Sequence, residues 1–236
     1  MKGELGSKQF FVTPAHTCSY LPLRNARTMF LDPRETITSE LYQDLADSGF
    51  RRSGGHLYKP NCASCKACIP VRVIAERFIL KKHHKRVLKK NNDLEIRIEA
   101  AADSAKYYNL YSNYISERHV DGDMYPPTRE QFRSFLFSQW SDTFFLSAYK
   151  KNKLMAVAVT DKQRSGISAM YSFFEPYEAK RSLGVYSILK QLEYCQALGL
   201  KYLYLGYWIK NSKKMAYKAQ YRPIEIYSNN NWKTLD

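Results

Sequence analysis

No stretch of the 236 residues reaches the roughly 18 consecutive apolar residues that a membrane-spanning helix needs. The opening residues, MKGELGSKQFF, hold no apolar leader-like run, so the expectation is a chain that stays in the cytosol and meets no membrane core. Internal repeats and low-complexity tracts are also missing. Acid is scarce: 22 Asp and Glu stand against 37 Lys and Arg, a formal net charge of +15. Charged residues total an ordinary 25%, so the departure lies in sign. What is abundant is aromatic: 14% of the chain, with 19 tyrosines. So many large side chains can offset the entropy of ordering the backbone, which disfavours disorder. The length suits one large domain or two modest ones. The charge fits a nucleic-acid partner best, with an anionic membrane surface or an acidic protein as weaker options.

Five cysteines are present, Cys18, Cys62, Cys65, Cys68 and Cys195, and three of them share one tight loop. A reducing compartment disfavours structural disulfides. Two separate C-x2-C knuckles are absent, yet Cys62, Cys65 and Cys68 offer three soft ligands, with Cys18 or His16 as a fourth. Zinc or an iron–sulfur cluster would each accept such ligands, and reduced thiols in a packed loop are the alternative. Cys195 sits on an apolar helix stripe and reads as a buried thiol.

The organisation divides at about residue 93. Residues 1–93 read as a smaller, loop-rich, cysteine-bearing α/β segment, and 94–236 as a regular α+β domain. In the first, a helix is expected from Thr38 to Ser48 with Gly49 as its stop, and a strand over 70–80. In the second, LEIRIEA alternates as a strand. Asp103 is placed to cap a helix running to about His119, and Thr128 with Gln131 to open another. Strands at 143–149, 153–160 and 166–174 form an antiparallel meander. A helix over 185–198 and a strand over 201–208 follow.

Two basic tracts stand out. Arg77, Lys81, Lys82, Lys85, Arg86, Lys89 and Lys90 fall together without an acid; as a helix, the Lys and Arg pairs stack at i, i+4 into one stripe. Like charges at that spacing repel, so an external anion is the natural partner, most simply nucleic-acid phosphate. His83 and His84, inside the run, join it as phosphate contacts. Lys201, Lys210, Lys213, Lys214, Lys218 and Arg222 form the second tract, interleaved with Tyr207, Trp208 and Tyr217, a mixture that suits a single strand's bases and phosphates. Between them, Arg181 to Gly184 precedes a helix N-terminus, where unpartnered amides favour an anion. Tyr186 would crowd a pyrophosphate there.

The order helix, helix, three antiparallel strands, helix, strand is similar to the Gcn5-related N-acetyltransferase fold. The stretches HTCSYLP (16–22), FRRSGGHLYKPNCASCKACIPVRV (50–73) and the block ending LGYWIKNSKKMAYKAQYRPIE (205–225) resemble the aminoacyl-tRNA–protein transferases of the N-degron pathway. The compact length and the C-x2-C-x2-C loop look like the bacterial, leucyl-transferring branch. Arginyl relatives carry C-x-x-C where this chain has Cys18-Ser19-Tyr20-Leu21, so one ligand of a family-style cluster is missing.

The resemblance implies transfer of leucine from leucyl-tRNA to proteins with N-terminal Asp or Glu, creating a destabilising N-terminus. Competing readings are arginyl-tRNA-dependent transfer, a coenzyme A-dependent N-acetyltransferase and a non-catalytic RNA-binding protein. The donor is an activated ester and the acceptor an α-amine of pKa about 7.7–8.0, so no cofactor is required and positioning should dominate. Tyr207 and Tyr171 are candidates to relay a proton to the leaving ribose. Lys81, Lys82, Lys85, Arg86, Lys89, Lys90, Arg181, Gly184, Lys210, Lys213, Lys214 and Lys218 are expected to hold the tRNA. Arg24, Arg51, Arg52 and Arg72 are candidates for the acceptor's carboxylate, which arginine grips with two hydrogen bonds.

Overall fold

A computed structural model describes Gly6 and residues 8–235. Its N-terminal part opens with β1 (Phe10–Val12), the short pair β2 (His16–Thr17) and β3 (Asn25–Ala26), and β4 (Thr28–Leu31). Helix α1 (Ser39–Asp47) begins where the Thr38 side chain accepts the Leu41 amide at 3.2 Å, and Gly49 takes φ +85° just past its end. The hairpin β5 (Arg51–Ser53) and β6 (His56–Pro60) completes a four-stranded sheet, β1-β4-β6-β5. Leu41, Tyr42, Leu45, Phe50 and Leu57 close a small core between that sheet and α1. Only α1 was legible here; strands this short carry too little alternation to be read.

The chain continues with β7 (Ile69–Ile74), α2 (Lys82–Lys90) and β8 (Glu95–Ala100). Next come α3 (Ala105–Arg118), α4 (Arg129–Leu136) and the meander β9 (Thr143–Lys150), β10 (Lys153–Gln163) and β11 (Gly166–Phe174). Helix α5 (Leu183–Ala197), β12 (Tyr202–Trp208), a 3-10 turn over Ala216–Gln220, β13 (Ile224–Ser228) and β14 (Asn231–Leu235) complete it. Eight strands form one sheet in the order β14-β13-β7-β12-β11-β10-β9-β8, and only β11 and β12 run parallel. The result is a mixed α+β architecture built on a large sheet.

β7 is the sheet's surprise. It lies between β12 and β13, and Val71 and Val73 sit in the same core as Leu203, Leu205 and the buried stripe of α5. The run after it, α2, packs on α5, so residues 69–90, read with the N-terminal segment, are built into this sheet and its helix layer. α5 and α2 cover one face; α3 and α4 cover the other, where Tyr111, Phe132, Phe145 and Phe173 interlock. The N-terminal sheet docks on that second face through a buried ion pair. Arg52 donates to both oxygens of Asp161 at 2.7 Å, and neither side chain is exposed.

One local expectation is corrected. Asp103 does not cap α3: Ser104 holds that position, and the Asp103 carboxylate pairs with Arg129 and Arg133 of α4. The β13–β14 hairpin was not read, although Asn229 and Asn230 adopt φ +51° and +58°, which asparagine accepts in two-residue hairpin turns.

Candidate active site

The site is created by strands that stop pairing. β11 and β12 are joined only from Gly166–Tyr202 to Ser168–Tyr204; beyond this they diverge. An irregularity in β12 between Tyr204 and Gly206 bends the strand away, with Gly206 at φ +79°. A side chain there would be strained, and its Cβ would stand 3.1 Å from Arg51 Nε.

Arg51 of β5 fills that opening. Its Nη1 donates to Ser168 Oγ at 2.8 Å, and its Nη2 to the Ala169 carbonyl at 2.8 Å. On the facing strand, the Tyr207 carbonyl accepts from Lys218 Nζ at 2.9 Å. Two cations thus satisfy backbone carbonyls that strand pairing leaves free. Lys218 is 7% exposed. Burial first, and then the Arg51 charge, pull its amine down to about 7, while Cys68 opposes the drop. Among the described residues neither cation has a carboxylate partner. A half-buried guanidinium without a counter-charge makes the parting a site that favours an anion.

Beside it lies a cavity of about 660 Å³. Tyr58 and Tyr207 form part of its lining, the four cysteines of the N-terminal part another, and Arg24, Arg27, Asn229 and Asn230 a third. Cys18, Cys62, Cys65 and Cys68 therefore share one space. Among the described residues, however, no three Cys, His, Asp or Glu side chains converge as a metal-ligand group. Burial, reinforced by the other three thiols, pushes Cys68 up to about 11, so it holds its proton at neutral pH. The described side chains do not form the zinc or iron–sulfur ligand set that the cysteine loop left open.

The remaining candidates separate clearly. Tyr207 lies in the site, but its phenol is tied to the carbonyls of Gly49 and Tyr58, at 3.0 and 3.1 Å, and burial pushes its pKa far up. That corrects its reading as a proton relay. Tyr171, half-buried against Phe135 and Tyr114, is likewise driven up by burial, with Tyr114 and Tyr111 adding to it. Arg52 is spent on Asp161, and Arg72 on Glu225, Asp47 and the faces of Tyr202 and Trp232, so neither can receive an acceptor. Of the four arginines, Arg24 at the cavity and Arg51 in the parting remain.

The basic tracts divide in the same way. Lys81, Lys82, Lys85, Arg86, Lys89 and Lys90 are all exposed along α2 and its first flank. His84 is not among them: it is buried, stacked on Tyr221, its Nδ1 accepting the Lys81 amide at 3.2 Å, and burial lowers it to about 4. His83 stays exposed. Lys210, Lys213 and Lys214 are exposed, whereas Lys218 is internal and cannot serve as a surface tRNA contact. Arg181 is turned away from the expected anion turn, donating to both oxygens of Asp93 at 2.7 and 2.9 Å and to Glu178. Gly184 packs where a Cβ would meet Phe174 at 3.1 Å. Burial of a lysine inside a cationic tract leaves no periodic signal, so the sequence does not separate Lys218 from its exposed neighbours.

Residues 16–86 match the N-terminal half, and residues 106–228 the C-terminal half, of the arginine-tRNA-protein transferase family. The chain belongs to that family. A protein of Alcanivorax borkumensis named aspartate/glutamate leucyltransferase is 52% identical over 98% of this chain and 95% of its own length. Proteins of the same name from Saccharophagus degradans and Pseudomonas fluorescens are 48% and 49% identical, over 98% and 99% of this chain and 99% of each of theirs. Among solved structures, L-PGS from Bacillus licheniformis is 12% identical over 61% of this chain and 48% of its own, with a TM-score of 0.41, too slight a likeness to bear on function.

Proposed function

We propose that this chain transfers leucine from leucyl-tRNA to the α-amino group of proteins whose N-terminal residue is Asp or Glu, marking them for degradation. One observation carries the reading beyond family membership: the Arg51 guanidinium, with no carboxylate partner among the described residues, sits where β11 and β12 part, with the Lys218 amine beside it. The helix α5 between parallel β11 and β12 gives this half a Gcn5-like plan, and in such a fold the parting is the place for acyl transfer. Arg51 uses two of its five N–H donors on the protein and keeps the rest for the acceptor's side-chain carboxylate.

The exposed stripe of α2 would lie along tRNA phosphates, with Lys210, Lys213 and Lys214 near the aminoacylated end. Transfer needs the acceptor nitrogen beside the leucyl carbonyl carbon, out of water, so that positioning does most of the work. The adjoining cavity has room for the donor's leucyl side chain and terminal ribose.

The test compares radiolabelled leucyl- and arginyl-tRNA with peptides beginning Asp, Glu or Ala. Leucine passed to the Asp and Glu peptides, and neither amino acid to the Ala peptide, is expected. Arginine transferred in preference would overturn the donor assignment, and no transfer from either tRNA would overturn the enzyme reading.

A further inference from the structure

We propose that Lys218 is the catalytic base of the transfer, taking the proton that the acceptor nitrogen sheds and returning it to the departing ribose oxygen. The inference rests on the acyl-transfer reading above. Lysine is rarely buried without a carboxylate partner, and this one is 7% exposed, with the Tyr207 carbonyl its one hydrogen-bond partner among the described residues. An apolar side chain would hold the turn over Ala216–Gln220 at lower cost, so stability does not explain the choice.

The geometry suits a neutral amine. One N–H donates to the Tyr207 carbonyl at 2.9 Å, which leaves the lone pair free. The groups that face it are Arg51 from β5, Cys68 from the loop before β7, and that carbonyl from β12. Arg51 and burial favour the neutral form, bringing the amine to about 7. Tyr207 and Cys68 beside it are poor bases, since both keep their protons well above neutral pH.

In the step itself, the neutral α-amine attacks the leucyl carbonyl carbon and a C–N bond forms. The C–O bond to the ribose breaks, with its electron pair on oxygen. One proton passes from nitrogen to Nζ and from Nζ to that oxygen, so Lys218 ends as it began.

The test follows kcat with saturating leucyl-tRNA and a Glu peptide from about pH 5.5 to about pH 9. The rate should fall about tenfold per pH unit below about 7. This limb should stay in place for acceptors whose α-amines differ in pKa. Lys218→Arg retains the charge and the carbonyl bond but cannot give up a proton. It should lose about 100-fold or more in kcat, lose the acid limb, and keep both KM values within about twofold. Imidazole should restore part of the rate to Lys218→Ala. Lys218→Arg within about threefold of native with an unchanged limb would overturn the proposal. If the variants do not fold, the native profile decides: no limb near 7, or one that follows the acceptor's amine, overturns it equally. A native enzyme that moves no leucine at all would instead refute the underlying function.

Discussion

Asp161→Asn should unfold the joint between the two halves of the molecule. The Asp161 carboxylate accepts four hydrogen bonds: Arg52 Nε and Nη2, each at 2.7 Å, Tyr42 Oη at 2.8 Å and Thr143 Oγ1 at 2.7 Å. Each oxygen takes two of them. Asparagine keeps one oxygen and turns the other into an NH2 group, so two donors lose their acceptor and the Arg52 guanidinium loses its counter-charge. Both partners are fully buried, so water cannot compensate, and breaking such a pair costs about 3–5 kcal/mol. For a chain of this size that is a fall in Tm of roughly 6–20 °C, read by circular dichroism, with a parallel drop in urea midpoint. Arg52→Met with Asp161→Leu should recover much of the loss, because an apolar pair owes no desolvation. A loss below about 1 kcal/mol for Asp161→Asn would refute the view that this pair fastens the N-terminal sheet to the large one.

Three further outcomes follow from the same structure. Lys85→Glu with Lys89→Glu on the exposed stripe of α2 should raise KM for leucyl-tRNA, leave the peptide KM unchanged, and reduce the salt slope of tRNA binding by about 2. Gly206→Ala forces a side chain into φ +79° against Arg51; it should cost about 1–2 kcal/mol in urea melts and weaken discrimination between acidic and neutral acceptors. The Arg181 guanidinium holds the Asp93 carboxyl down at about 2. Its folded pKa is below its unfolded one, so its stabilisation is complete above about pH 4 and is lost as pH falls towards about 2. The carboxylate is 39% exposed, so the effect should be under about 1 kcal/mol. Asp93→Asn should remove that part of the acid sensitivity.

The regular half was legible because its periods are long. Strands of eight to eleven residues and the apolar stripe of α5 repeat often enough to be read. β7 reads as a strand but not as a member of this sheet, since pairing partners 128 and more residues away leave no local trace. The site was half legible. Arg51 stood among four equal candidates, and only the fold shows Arg52 and Arg72 committed to acids while Arg51 meets a hydroxyl and a backbone carbonyl. Lys218 and His84 look like their basic neighbours; the Tyr207 carbonyl holds the one inside and the Tyr221 ring the other. Tyr207 lies beside the parting, yet two carbonyls hold its proton in place.

On this reading Arg51, in the β11–β12 parting, recognises the acceptor's acidic side chain. The most direct measurement is kcat/KM for two peptides that differ only in an N-terminal Glu or Gln, with native enzyme and with Arg51→Met. The native enzyme should prefer Glu by about 100-fold or more, and the variant by about tenfold or less, with KM for leucyl-tRNA unchanged. A variant that keeps the native preference would contradict the claim.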